Sequence, residues 1–310
     1  MSLQAQYSEI LTNVGLQYGA GPDLFKATKV FPICPVSLMS SQYPTYDKAY
    51  WQKNEAGIRM PATESKGGTH ERNFESYSCQ DISYHEDVAV ESIKNDPTPL
   101  NPQKAATRRV TMKISLFDEI DWVTRFLTTS VWTTGSNPST KWDAASGSTP
   151  LKDIDGYKRA MRIATGGFAP NKIVINEPVF DVLKRHADVK DQLKYTSNAN
   201  VTQEILARIL EVDEIVVMAA IKDSAAYGAT ASHAYIAGNK FLMLHVTKNP
   251  SLEEPSAGYN FSWTGYGKNG YGVEELAMPT IKAIRVEAHH YHDMKKVAAD
   301  LGYYIDAPLT

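Results

Sequence analysis

The apolar positions of the chain switch period several times, and each switch marks an element. Ile154, Tyr157, Met161 and Ala164 fall at helical spacing until Gly166-Gly167 ends the run. Thr149-Pro150 in front of them offers a cap and a first helical residue. The period then shortens to a β-branched run, Lys172-Ile173-Val174-Ile175-Asn176, which reads as a buried strand. Val179, Phe180, Leu183 and His186 restart a helix, and Val201-Thr202-Gln203-Glu204 begins another whose apolar face is Ile205, Leu206, Ile209 and Leu210. Glu214-Ile215-Val216-Val217-Met218 gives a second buried strand.

Upstream, Asp96-Pro97-Thr98-Pro99-Leu100-Asn101-Pro102 is a rigid joint, with Asn101 a good N-cap and Pro102 a good first helical residue. From there to Trp132 no Gly or Pro interrupts the chain, and Leu116, Ile120, Val123, Leu127 and Val131 form one helical face. The rival pattern is the strand-like alternation of Val110, Met112, Ile114 and Leu116. The cap and the downstream spacing favour a helix of about thirty residues, roughly 45 Å long. Its charges run against the macrodipole: Lys104, Arg108, Arg109 and Lys113 come first, and Asp118, Glu119 and Asp121 follow. Such a layout suits a solvated, self-paired face, or a basic end turned toward an acidic partner.

Residues 40 to 80 are polar and turn-rich. Tyr43, Tyr46, Tyr50 and Trp51 lead in, charges balance, and Ile58, Met60 and Ala62 alternate with Arg59 and Pro61 as in a weak ribbon. A stretch this long without a core is a functional projection or a solvated hairpin. Before it, Tyr18 to Pro22 breaks any helix, and Phe31-Pro32-Ile33-Cys34-Pro35-Val36 is extended because Pro biases its predecessor away from helix. It reads as an arm lying on another surface, or as an edge strand of the same domain. After Lys222 the chain turns to strands: Phe241 to Val246 is buried, Ala283 to Val286 and Val297 to Asp300 read as a pair, and Tyr303-Tyr304-Ile305 closes the chain.

Composition narrows the function classes. A hydrophobic fraction of 43% supports a sizeable core, and a net charge of −3 argues against a dedicated nucleic-acid binder. The apolar runs are too short to span a membrane, and residues 1 to 21 lack the pattern of a signal peptide. Two isolated cysteines, Cys34 and Cys79, make neither a disulfide framework nor a metal spacing, which suits a reducing cytosol. Three constellations could carry chemistry. Gly265-Tyr266-Gly267-Lys268-Asn269-Gly270 matches G-x-G-x-x-G but has no helix pattern after it, so Asn269-Gly270 reads better as a hairpin turn. His289, His290, His292 and Asp293 could ligate a metal, His290 and His292 sharing one face of a strand, yet no further ligands stand nearby in sequence. A hairpin tip or interface contact is the expectation there. No nucleophile elbow or phosphate-binding loop is found. We therefore expect no catalytic residue, no cofactor and no metal.

Four features fall in order over about eighty residues: Trp142-Asp143, the helix start Pro150 to Ile154, Pro170-Asn171 before a strand, and Phe180 to His186 after it. This set resembles the central domain of tailed-phage major capsid proteins, the Hong Kong 97-type fold also seen in encapsulins. The resemblance implies an α+β fold with an N-terminal arm (1–40), an extended loop (41–80) and a peripheral domain (81–140) with a spine helix at about 102–132. An axial α/β domain (141–275) and return strands to the peripheral domain (276–310) follow. It implies a protein that is not an enzyme and that self-assembles through hexamers and pentamers into the icosahedral head of a tailed double-stranded DNA bacteriophage. The implied location is the virion, with assembly in the bacterial host cytoplasm and no membrane contact. A decoration or scaffolding protein is a further possible partner. Intersubunit contacts are expected from Tyr50, Trp51, Arg59, Arg72, Asp118 and Glu119, and weak contact with packaged DNA from Lys104, Arg108, Arg109 and Lys113. The alternatives are an encapsulin-type shell and, from a different class, a soluble α/β enzyme with its site near Gly265–Gly270.

Overall fold

Two sheets share the long helix of the chain. The computed structural model describes residues 6–19, 24–45, 54, 56–67, 73–95, 101–193, 201–226, 228–250 and 254–310. The first sheet is drawn mostly from the C-terminal half. Its strands run in the order Thr133–Thr134, Gly302–Ile305, Phe241–Leu244, Lys172–Asn176 and Glu214–Met218. Strand Phe241–Leu244 is antiparallel to both neighbours, and Lys172–Asn176 is parallel to Glu214–Met218.

Both faces of this sheet are buried, which explains its continuous apolar runs. Ile173, Ile175, Ile215, Val217, Phe241, Met243 and Ile305 point to a helical layer that supplies Ile154, Met161, Val179, Leu183 and Leu206. Val174, Val216, Met218, Leu242, Leu244 and Tyr304 point the other way, to Trp122, Phe126, Leu127, Trp132 and Phe31. The helical layer follows the sequence signals. Pro150–Thr165 ends at Gly166 in the left-handed conformation, φ 73°, and Gln203–Ile209 begins with the Thr202 hydroxyl accepting from the Ile205 N–H. The helix expected from Val179 to His186 is Glu177–Arg185, ended by an extended His186, and a further short helix, Ala187–Leu193, follows it.

The second sheet is built around Ala283–Lys296, a 14-residue strand. Tyr271–Met278 and then Gly258–Trp263 pair along one edge of it, and Gln80–Ala89 pairs along the other. Gln6–Tyr7 and Ile33–Val36 add the outer strands. The expected pairing of Ala283–Val286 with Val297–Asp300 is absent: the strand runs straight on to Lys296, and Ala299–Leu301 is a 3-10 turn. The last strand then joins the central sheet beside Phe241–Leu244 rather than returning to the peripheral one.

The spine helix is Asn101–Phe126. Ala106, Val110 and Ile114 pack on the second sheet against Val273, Val286 and Ala288, and Trp122 and Phe126 reach the central sheet. The expected helix ran on to Trp132. It stops earlier because its last carbonyls are taken by groups from elsewhere: the Trp132 indole donates to the Phe126 oxygen at 2.7 Å, and Lys240 Nζ donates to Leu127 at 2.7 Å. A cation at that end also suits the helix dipole. Ser130 then turns the chain at φ 71°.

The N-terminal segment is not a free arm over its described length. Phe31 is buried among Trp122, Phe126 and Trp132, with its ring edge-on to Phe126 at 5.0 Å. Ile33–Val36 is an edge strand of the subunit's own sheet. Apolar burial of this aromatic holds the segment down. Cys34 and Cys79 are free thiols in one buried cluster, and burial pushes the Cys79 thiol up to about 11.

Candidate functional site

A two-stranded hairpin projects from the second sheet. Ser40–Thr45 pairs antiparallel with Asn73–Ser78, from Ser40 opposite Ser78 to Thr45 opposite Asn73. Aromatic packing fixes its root. Tyr77 stacks on Phe261 at 4.4 Å, and Tyr43 lies 5.1 Å from the same ring. The Tyr43 hydroxyl donates to Glu75 at 2.9 Å, and the Ser78 N–H donates to the Asp293 carboxylate at 2.9 Å. Beyond the root the character reverses, and every residue from 56 to 67 is exposed. Ile58 is 98% and Met60 68% exposed. This stretch holds no strand. It bends at Pro61–Thr63 with Ala62 at φ 64°, Arg59 donating to the Thr63 carbonyl at 2.9 Å. Among the described residues none covers Ile58 or Met60.

Of the residues expected at subunit contacts, Arg59 is therefore on the projection, while Tyr50, Trp51 and Arg72 lie outside the described residues. Asp118 and Glu119 require correction. They are 3% and 0% exposed, on the face of the spine helix turned into the subunit. Glu119 Oε2 accepts from the backbone N–H groups of Lys26 at 2.9 Å and Ala27 at 2.7 Å, where the short turn Ala27–Val30 has no side-chain cap of its own. Burial raises its carboxyl to about 7 against the pull of those donors. Asp118 lies between His290 and His292, and burial raises its pKa first, opposed by the charge and hydrogen bond of His290.

The basic half of the helix divides. Arg109 forks onto the Glu86 carboxylate on strand Gln80–Ala89, with Nε at 2.8 and 3.1 Å from its two oxygens. Its charge is matched inside the subunit, which argues against a DNA-facing role for it. Arg108 is exposed and Lys104 half-buried. Lys113 opens onto a cleft of about 520 Å³ shared with Phe117, Asp121 and Arg125.

The other candidate chemistry is placed as follows. Gly265–Gly270 joins strand Gly258–Trp263 to strand Tyr271–Met278, so strand follows strand and no helix opens on the loop. Asn269 and Gly270 have φ of 52° and 72°, and a Cβ on Gly267 would stand 2.0 Å from the Tyr271 carbonyl. Those glycines serve the turn, and an enzyme site there is not supported. His289, His290 and His292 are not at a hairpin tip. They lie inside Ala283–Lys296, paired on both edges. A Ser148–His186–Asp188 group resembles a hydrolase triad but has the wrong tautomer. His186 Nδ1 accepts the Asp188 backbone N–H at 3.2 Å, so its proton sits on Nε2, directed at Ser148 Oγ 2.8 Å away. The imidazole thus has no lone pair for the serine proton. Among the described residues no helix is long and apolar enough to cross a membrane.

A spine helix shared by two sheets, a helical layer on a sheet buried on both faces, and a projecting hairpin define the Hong Kong 97-type capsid fold. The family described as phage major capsid protein E matches residues 118–254. The major capsid protein of Burkholderia phage BcepMu is 29% identical over 167 residues, which are 52% of this chain and 51% of that protein. The chain thus spans about half the length of the curated relative it matches. A phage-related protein from Bordetella bronchiseptica RB50 superposes over 99% of both chains with a TM-score of 0.75 and 22% identity. The capsid of Myoviridae phage XM1 superposes over 99% of this chain and 94% of its own, with a TM-score of 0.55 and 11% identity. The chain resembles phage major capsid proteins in sequence over its central part and in fold over its length.

Proposed function

We propose that this chain is the major capsid protein of a tailed double-stranded DNA bacteriophage and that it acts structurally rather than catalytically. Copies assemble through hexamers and pentamers into the icosahedral head, and the chain resides in the virion after assembly in the host cytoplasm. The observation that carries this reading is the hairpin whose root is locked into the subunit and whose tip presents Ile58, Arg59 and Met60 to solvent. A neighbouring copy is the partner such a tip suits, and many modest contacts of this kind sum to a stable shell. The phage names of the matched family and relative favour a genome over the protein cargo of an encapsulin. DNA contact is weak and non-specific, through Arg108, Lys104 and Lys113. A decoration or scaffolding protein would bind the assembled surface.

Electron micrographs of the purified chain should show closed shells, and native particles should contain nuclease-protected DNA. Deleting residues 55–71 should leave a folded, soluble subunit that forms no shell. An unfolded product, or shells of normal size from the deletion, would count against the reading. Protein in place of DNA inside native particles would move it to the encapsulin class.

A further inference from the structure

Strand Ala283–Lys296 alternates as it crosses under the spine helix. Its inward row is Val286, Ala288, His290, His292 and Met294. The facing row of the helix steps by four through Val110, Ile114, Asp118 and Trp122, all buried. Two apolar rows therefore meet, broken at the same place by Asp118 on the helix and by His290 and His292 on the strand. Asp118 Oδ2 is 3.0 Å from His290 Nδ1, and Asp118 Oδ1 is 3.1 Å from His292 Nε2. The two imidazole rings are 3.9 Å apart, and the donor atoms of all three residues lie within 4.8 Å of one another.

We propose that Asp118, His290 and His292 bind a divalent transition-metal ion of the zinc class, which staples the spine helix to the long strand. Two imidazoles and one carboxylate are donors that zinc selects, and three protein ligands leave a fourth position open. Ligand bonds of about 2.0–2.2 Å in a tetrahedral site separate the donors by about 3.4 Å. With one carboxylate oxygen and one nitrogen from each ring, the three donor atoms already lie within 4.8 Å of one another, so small side-chain rotations bring them to that spacing. His292 is 4% exposed, and its Nδ1 is buried with no hydrogen-bond partner, so its Nε2 carries the ring's whole polar anchoring. A coordination bond anchors a buried ring more firmly than one shared proton does. His292 also lines the cleft that holds Lys113, Asp121 and Arg125, and water from this cleft can fill the fourth position. The surroundings are set for order: Arg125 ties the helix to the strand through Asp293 at 3.4 Å, and Tyr271 stands edge-on to His290 while bonding Thr111.

The test is metal titration of the full chain after chelator dialysis. Wild type should take up one equivalent of Co²⁺ with the visible absorption of a tetrahedral site, lost on adding Zn²⁺, and Zn²⁺ should raise its thermal midpoint. Asp118→Asn keeps the shape of the site and should weaken binding by more than about 100-fold, as should His292→Ala. His289→Gln, outside the site, should bind as wild type does. The proposal is overturned if wild type binds no equivalent of either ion, or if the folded Asp118→Asn and His290→Gln proteins bind as tightly as wild type.

Discussion

Glu119 shows how one buried polar side chain can hold a segment that sequence places far away. Its carboxylate caps the backbone at Lys26 and Ala27 from 93 and 92 residues along the chain. Glu119→Ala would orphan both donors, at about 1–3 kcal/mol for each buried group. The urea midpoint of the unassembled chain should fall by the equivalent of about 2–6 kcal/mol. Glu119→Gln retains the accepting oxygen and should cost clearly less. Equal stability of wild type and Glu119→Ala would refute this role. Nothing local in the sequence could have revealed it. Pattern reading assigns charged residues to the outside, and Asp118 and Glu119 are inside because their partners, His290, His292 and two backbone amides, arrive from other parts of the chain. The shared face of His290 and His292 was legible from the period of two; the carboxylate that completes them was not.

At the scale of elements, the helix and its start were legible and its buried face was displaced. The expected row contained Leu116, Ile120 and Val131, which are only half-buried, while the buried row passes through Asp118. The helix end was also missed, since the groups that stop it, Trp132 and Lys240, act through tertiary contacts. The basic half of the helix can be tested by pairs. Arg109 and Glu86 should show a favourable coupling of no more than about 1 kcal/mol in a double-mutant cycle of Arg109→Gln and Glu86→Gln, because the pair is partly exposed. Absence of coupling would show the fork to be lost in solution. The buried strands Lys172–Asn176, Glu214–Met218 and Phe241–Leu244 were all legible, because a strand buried on both faces has no polar alternation to mistake. The path of the chain after Lys296 was not, since only the central sheet decides where Gly302–Ile305 pairs.

For the whole molecule, one core joins both sheets. Phe31, Trp122, Leu127, Leu244, Met294 and Tyr304 belong to a single cluster. Neither sheet can lose its partner without exposing this cluster, so the unassembled chain should unfold in one transition. Far-ultraviolet circular dichroism and tryptophan fluorescence, with Trp122 and Trp132 in this core and Trp142 in the other, should give coincident curves. Two separated midpoints would show that the domains are independent. The strand Ala283–Lys296 has one more consequence, a mechanical one. It is bonded along both edges over most of its length, by Gln80–Ala89 on one side and by Tyr271–Met278 and Gly258–Trp263 on the other. A pull along its axis loads these ladder bonds in shear, all at once, whereas a pull that peels the two-stranded hairpin Ser40–Thr45/Asn73–Ser78 from its free end breaks them one after another. Under tension the strand is therefore the tie rod of the subunit, and the hairpin is the part that gives.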